Sequence, residues 1–468
     1  MARCLAPRTI KNPAVFSGAR EGVYLASSRF ARDNIIPRLN DVLVVPCGKC
    51  LNCLKNKQSS MVVRCKREAE QKGSFAFMTL TYDDDHLPLA RSLWRASKDT
   101  GEYEVYYKPE LFSTGINPDP SYCDLFKTLP SGESPRFYQY TLFEDSDYEY
   151  VVRITPSVCR FDVREWLKMA RIQYERDNGF KLPDFSYVAI SEYGPRTCRP
   201  HYHLAFFGLQ RQHLNYLLER WSYGKVKQVR MVTQINKDGS NGFIRASKYI
   251  GKYMSKGKFE CESVKECAAE RPRVCMSKRL GSRELDPIRR HCLCFDMYGE
   301  YDPETLQKIV GWEEMEVTNQ RSRDFGKTYR YPVYGDYLSR LQVDALVEEI
   351  PKRLVYRVDE RTVVPLPRVI RDRIFKCVPN EDYYDEKRKG NSPSKTVSSA
   401  IWCMVTASLR DKHVRDDQQQ FEEFCAAHPE REMSENCAEF AYWEEYSSSL
   451  EEASLYEDYK AFYSRSHF

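Results

Sequence analysis

The stretch Arg199-Pro200-His201-Tyr202-His203-Leu204-Ala205-Phe206-Phe207-Gly208 constrains this chain more than any other. It reads as an apolar, aromatic strand holding two of the chain's eight histidines two residues apart. Side chains alternate faces along a strand, so His201 and His203 point the same way, close enough to share one metal ion. Composition alone predicts roughly 0.14 such pairs in the chain. The neighbouring motifs therefore decide whether the pair means anything.

A second motif follows, Tyr249-Ile250-Gly251-Lys252-Tyr253-Met254-Ser255-Lys256, in which Tyr-x-x-Lys occurs twice. Phe243 to Lys248 continue a helical pattern in front of it, and Gly257 ends the pattern. Positions four apart share a helix face, so the two phenol oxygens can approach a single point. Chance predicts about 0.01 copies of the doubled unit. Taken alone, it also fits two half-buried packing tyrosines beside a solvated lysine face.

The elements between these motifs read in order. Phe75 to Tyr82 is a strand, followed by an Asp83-Asp84-Asp85-His86 turn whose three acids cannot face one point. Residues 89 to 150 carry Gly, Pro, Ser and Tyr in irregular order and read as an insertion. Residues 160 to 178 form an amphipathic helix with Val163, Trp166, Leu167, Ala170 and Tyr174 on its core stripe. Phe185 to Tyr193 and His201 to Gly208 pair as an antiparallel hairpin, which lets Glu192 approach the histidine face. A helix at 211 to 221, a strand at 225 to 235 and the tyrosine helix complete the series. The expected fold is α+β, an antiparallel sheet of split βαβ, ferredoxin-like type.

Three domains are expected: a Cys-rich segment and helix at 1–72, the histidine and tyrosine domain at 73–258 with its insertion at 89–150, and an accessory region at 259–468. The net charge of +5 hides a division. Residues 1 to 260 carry 40 Lys+Arg against 28 Asp+Glu, whereas the remainder is acidic, and residues 411 to 468 hold 15 acidic against 5 basic residues. A basic half that also bears the candidate chemistry fits a polyanionic substrate. The acidic tail fits a protein partner or a shield for a basic surface better than DNA. No apolar run is long enough to span a bilayer, and the first residues lack a signal-peptide core, so a cytoplasmic protein is expected.

Seventeen cysteines do not read as a disulfide framework in so long a chain. Cys47-x-x-Cys50-x-x-Cys53 offers three thiolates, and Cys4 or Cys65 can supply the fourth ligand of a structural Zn²⁺. Cys261, Cys267, Cys275, His291, Cys292 and Cys294 match no metal spacing and are expected to be unligated.

In order, these pieces resemble the rolling-circle replication initiators of the HUH endonuclease superfamily, most closely those of gokushovirus-type microviruses. The resemblance rests on Thr79-Leu80-Thr81, Glu192-Tyr193-Gly194, Arg199 to His203, the tyrosine helix, the N-terminal cysteines and Trp221 to Val226, and covers roughly residues 1 to 258. It implies that His201, His203 and Glu192 hold Mg²⁺ or Mn²⁺. It further implies that Tyr249 or Tyr253 attacks a phosphodiester, leaving a 5′-phosphotyrosine and a free 3′-OH, with Lys252 and Lys256 steadying the phosphate or favouring the phenolate. The implied partners are single-stranded or supercoiled phage origin DNA, a host helicase and a DNA polymerase, in the bacterial cytoplasm. Gly251 costs a helix roughly 1 kcal/mol relative to Ala, and close approach of DNA backbone is one reason to keep it. Competing readings are a plasmid relaxase or tyrosine transposase, which use the same histidine pair, and a non-catalytic zinc-bearing protein that binds single-stranded DNA. RNA binding through the sheet lacks its aromatic consensus.

Overall fold

A computed structural model describes residues 8–11, 42–45, 51–112, 137–194, 197–236, 238–256, 267, 269–318, 325–375, 378–379, 396–397, 399, 401–402, 404–405 and 408–409. The chain divides into two compact units, Lys57–Arg283, and Met1–Asn56 together with Glu284–Phe468.

The elements run from β1 (Arg8–Lys11) and β2 (Val42–Val45), an antiparallel pair, into helix α1 (Leu51–Lys72). Next come β3 (Phe75–Thr81), β4 (Leu89–Ser97), β5 (Tyr103–Phe112), β6 (Tyr138–Glu144), β7 (Tyr148–Pro156) and helix α2 (Asp162–Asn178). Then follow β8 (Ser186–Tyr193), β9 (Pro200–Phe207), α3 (Arg211–Leu218), β10 (Val226–Val232), α4 (Gly242–Lys256) and β11 (Val274–Met276). The protein is mixed α+β with antiparallel sheets.

The main sheet has the order β10-β3-β9-β8-β11, every neighbouring pair antiparallel. Alternation sorts its side chains into two cores. Met78, Leu80, Tyr202, Leu204 and Phe206 pack against Val163, Trp166, Leu167 and Ala170 of α2 and against Leu214 and Leu217 of α3. The amphipathic stripe read for α2 is thus core. The opposite face places Phe75, Phe77, Val188, Ile190, Ala205 and Phe207 against Met61, Cys65 and Ala69 of α1 and Phe243 and Ile250 of α4.

Helix α1 is held by a buried carboxylate. Glu68 accepts hydrogen bonds from the Ser186 hydroxyl and the Gly281 amide, each at 2.6 Å, and Arg67 Nε donates to the Gly281 carbonyl at 2.9 Å. Gly281 lies at φ +67°, and a Cβ there would come within 2.4 Å of the Arg64 carbonyl oxygen. Only glycine lets the turn approach the helix so closely.

Residues 89 to 150, irregular in the sequence reading, instead contribute to a four-stranded antiparallel sheet of order β5-β4-β7-β6. Its strand signal is faint because Arg, Ser and Tyr occupy positions where aliphatic side chains usually mark a strand. Stacking replaces part of the aliphatic packing: the Arg153 guanidinium lies 4.3 Å from the Tyr103 ring centroid and 4.6 Å from that of Trp94.

In the other unit the described elements continue with α5 (Asp286–Cys292), α6 (Phe295–Tyr298), the antiparallel ribbon of β12 (Gln307–Glu316) and β13 (Thr328–Tyr337), and α7 (Arg340–Arg353), opened by a Ser339–Gln342 capping box. Short pairs β14 (Val355–Arg357) with β15 (Val363–Pro365) and β16 (Val378–Pro379) with β17 (Thr396–Val397) flank α8 (Arg368–Ile374). Cys292 and Cys294 are buried thiols, pushed by that burial up to about 12 and about 11, so they stay protonated. Cys261, the linker at 387–395 and the acidic tail at 411–468 lie outside the described residues. Among the described residues no helix is long and apolar enough to cross a membrane.

Gly251 has a packing explanation. A Cβ at this position would sit 2.7 Å from Val62 Cγ2 and 3.2 Å from the Gln58 carbonyl oxygen, so glycine allows α4 to lie against α1. Gly251→Val is expected to destabilise the DNA-free protein by about 1–3 kcal/mol, the usual cost of overpacking. Denaturant unfolding of the variant checks this; an unchanged midpoint would remove the close helix contact as the reason for glycine.

Candidate metal and tyrosine centre

Register brings the candidate ligands together. In the β8–β9 hairpin Glu192 lies directly across from His201, and in the β3–β9 pair Thr79 faces His203 and Thr81 faces His201. All point to the α4 side of the sheet, one row beyond Phe77, Ile190 and Ala205 of the core. The apolar floor therefore turns polar at a single level of three adjacent strands.

At that level both imidazoles aim Nε2 at one carboxylate oxygen. His203 Nε2 is 2.9 Å and His201 Nε2 3.6 Å from Glu192 Oε2, with His203 buried and His201 and Glu192 a little under one-fifth exposed. One ligand atom from each of the three residues lies within 4.8 Å of the others, the spacing of a metal-ligand set. Two nitrogens and a carboxylate suit a hard or borderline divalent cation, and the set fits the metal expected from the sequence without distinguishing Mg²⁺ from Mn²⁺.

His203 is oriented on three sides. Its Nδ1 lies 3.3 Å from Thr79 Oγ1, its ring stacks on Tyr253 at 3.7 Å between centroids, and the Phe77 ring is parallel at 6.1 Å. His201 is steadied from its own chain, with Nδ1 3.4 Å from the Arg199 carbonyl. Arg199 in turn pairs with Asp84 at 2.6 Å, which ties the turn after β3 to the start of β9. Asp83 holds the same turn from within by accepting from the His86 amide at 2.9 Å.

The two tyrosines occupy unlike environments. Tyr253 is half-buried beneath His203 and donates its hydroxyl to Tyr249 Oη at 2.7 Å, whereas Tyr249 is 39% exposed and packs edge-on against Phe77 at 4.8 Å. Burial first, then the hydrogen bond to Tyr249, pushes the Tyr253 phenol well above its ordinary range, with the negative charge of Glu192 adding to the effect. This direction is opposite to the lowering expected from neighbouring lysines. Lys252 is exposed on α4, and the side chain of Lys256, the last residue of that helix, lies outside the described residues.

Of the cysteines proposed for zinc, Cys53 is buried and outside any disulfide, and Cys4, Cys47 and Cys50 lie outside the described residues. Among the described residues, Glu192, His201 and His203 form the group with metal-ligand spacing. The sequence reading passed over Thr79 and Phe77 as parts of the centre. The signal was present in β3: alternation from Phe75 carries through Phe77 to Thr79, so the odd positions face the histidines once β3 and β9 pair.

Residues 149–258 match a family model of replication-associated proteins of the ORF2 type, a span that takes in Glu192, both histidines and both tyrosines. Replication-associated protein VP4 of Bdellovibrio phage phiMH2K is 39% identical over 49 residues, which cover 10% of this chain and 16% of VP4. No solved structure matches.

Removing the hydroxyl that orients His203 is expected to weaken metal binding by about 10–100-fold, as loss of groups behind metal ligands does. Thr79→Val, titrated with Mn²⁺ by calorimetry beside wild type, checks this. Equal affinities would exclude Thr79 from the centre.

Proposed function

We propose that this chain is a phage replication initiator of HUH type, which nicks origin DNA through a tyrosine and later rejoins the strand. The observation that carries the reading is the convergence of Glu192, His201 and His203 beneath a helix bearing two hydrogen-bonded tyrosines. The match of residues 149–258 to a replication-associated family supports it, as does the order β10-β3-β9-β8, which suits the split βαβ arrangement. On this reading 73–258 is the endonuclease domain, 1–72 a zinc-bearing segment and 259–468 an accessory region.

A divalent cation held by Glu192, His201 and His203 would neutralise charge developing on the scissile phosphate. Tyr249, the exposed phenol, attacks first. Its oxygen forms a bond to phosphorus, the P–O3′ bond breaks, and the leaving oxygen takes up a proton to become a free 3′-OH. The tyrosine proton passes to solvent or base. Tyr253 directs its hydroxyl at the attacking oxygen and serves as the acceptor in a second transfer. Lys252 and Lys256 counter phosphate charge along the same helix. The phosphotyrosine conserves the phosphodiester energy, so attack by a 3′-OH reseals the strand without ATP. The 3′-OH released at the nick primes a host polymerase while a host helicase opens the duplex, which places the work in the bacterial cytoplasm.

The test uses a labelled single-stranded origin oligonucleotide with Mn²⁺, resolved on a denaturing gel. Wild type is expected to carry the label covalently, Tyr249→Phe to lose at least about 90% of the first adduct, and Tyr253→Phe to keep most of it; magnitudes follow from removal of a nucleophile. His201→Ala with His203→Ala abolishes cleavage and leaves DNA binding. No adduct from wild type on a verified origin would sink the endonuclease reading in favour of a zinc-bearing single-strand-binding protein. Separately, Cys4, Cys47, Cys50 and Cys53 are proposed to hold a Zn²⁺. Elemental analysis should find about one zinc per chain, retained in His203→Ala; a zinc-free protein rules this out.

A further inference from the structure

A cavity of ≈ 510 Å³ opens on the sheet face opposite the metal and tyrosine centre. Its position follows from strand alternation. Ser191 and Tyr202 line it, whereas their neighbours Glu192, His201 and His203 point to the other face. The floor is apolar, made by Val158, Val163, Ala189 and Val274, and the volume lies in the range of small-ligand sites.

The rim has a different chemistry. Arg160, Arg164 and Arg273 surround it, and the guanidiniums of Arg160 and Arg164 lie 4.6 Å and 5.0 Å from the ring centroid of Phe161, which also lines the cavity. Three cations at the mouth call for an anion, and an apolar floor beside an aromatic ring calls for a flat, poorly solvated group. Glu270 adds a third requirement. Its Oε1 stands 3.9 Å from Arg160 Nε, but its Oε2 is buried with no hydrogen-bond partner. A buried acceptor left unpaired costs about 1–3 kcal/mol, which a ligand N–H would relieve.

An anion, a flat ring and an N–H donor in one ligand describe a nucleotide. We propose that the cavity takes one unstacked nucleotide of single-stranded DNA: its phosphates on Arg160, Arg164 and Arg273, its base over the apolar floor beside Phe161, and an exocyclic amino group on Glu270. Cytosine, adenine or guanine is accepted over thymine, which has no exocyclic amine; carboxylates read cytosine N4 in the same way. The site lies across the sheet from the chemistry, so it holds the strand at a distance from the scissile phosphate. The proposal rests on the replication reading only in taking single-stranded DNA as the substrate.

The test uses full-length protein with EDTA, so that no cleavage occurs. Fluorescence anisotropy measures binding of short labelled oligodeoxycytidine and oligodeoxythymidine. Peptide-resolved mass spectrometry follows alkylation of Cys275, an exposed thiol in the cavity wall. Oligodeoxycytidine is expected to bind more tightly and to protect Cys275. Arg164→Ala and Arg273→Ala, both changes at exposed positions, each weaken binding about tenfold, the scale of a lost stacked or charged contact. Glu270→Leu removes the preference for deoxycytidine. Equal binding by all variants, or Cys275 alkylated equally with and without DNA, overturns the proposal. Free dCMP giving the same protection would assign the cavity to free nucleotides and overturn its role in holding a strand. The covalent adduct assay on wild type separates the two claims. An adduct with cavity-independent binding removes the cavity site alone; cavity-dependent binding without an adduct removes the endonuclease alone; no binding of single-stranded DNA removes both.

Discussion

Everything at the candidate centre depends on one register. Three antiparallel strands place Thr79, His203, His201 and Glu192 on one face at one level, and a slip by a single residue would send each of them to the opposite face. Such a slip would also expose Phe75, Phe77, Ala205 and Phe207, now enclosed under α1 and α4. The apolar cost of that exposure, roughly 1.5–3 kcal/mol for each large side chain, holds the polar row in place. The core thus positions a site that contributes little to stability itself.

The tyrosine helix is set by the same packing. Ile250 and Phe243 anchor α4 in the core, and Gly251 lets it lie flat on α1, so Tyr253 comes under His203 while Tyr249 faces outward beside Phe77. Two residues of the same type, one turn apart, are thereby made chemically unlike. Tyr253 is restrained by burial and by its hydrogen bond, and Tyr249 is the more accessible oxygen. The two faces of the sheet also divide labour in the proposed scheme. Residues that alternate along β8 and β9 contribute to the tyrosine side at one position and to the arginine-rimmed cavity at the next.

The sequence was legible where periodicity and chemistry coincided. His201, His203 and Glu192 could be brought together on paper because a hairpin has only one simple geometry, and the stripe of α2 could be read because Trp166, Leu167 and Ala170 recur at helical spacing. The inserted sheet was not legible, since its strands alternate Arg and Ser with aromatics and owe their cohesion to Arg153 and its ring partners. Nor was β11, three residues long, whose only strand signal is its pairing with β8. The reading of Gly251 as an approach for DNA gave way to a contact with Val62, which is far away in the chain.

What the sequence determined by itself was local: which segments are strands and helices around the two motifs, and which side chains share a face. These follow from backbone periodicity, which needs no knowledge of distant residues. Only the tertiary structure decided how β3 lies against β9 to set Thr79 behind His203, which tyrosine is sheltered, and that Arg160, Arg164, Arg273 and Glu270 surround one cavity. These are contacts between segments far apart in the chain, and no periodicity encodes them. They arise when two faces of one sheet are covered by different helices, and burial then assigns each remaining polar group its partner or leaves it without one.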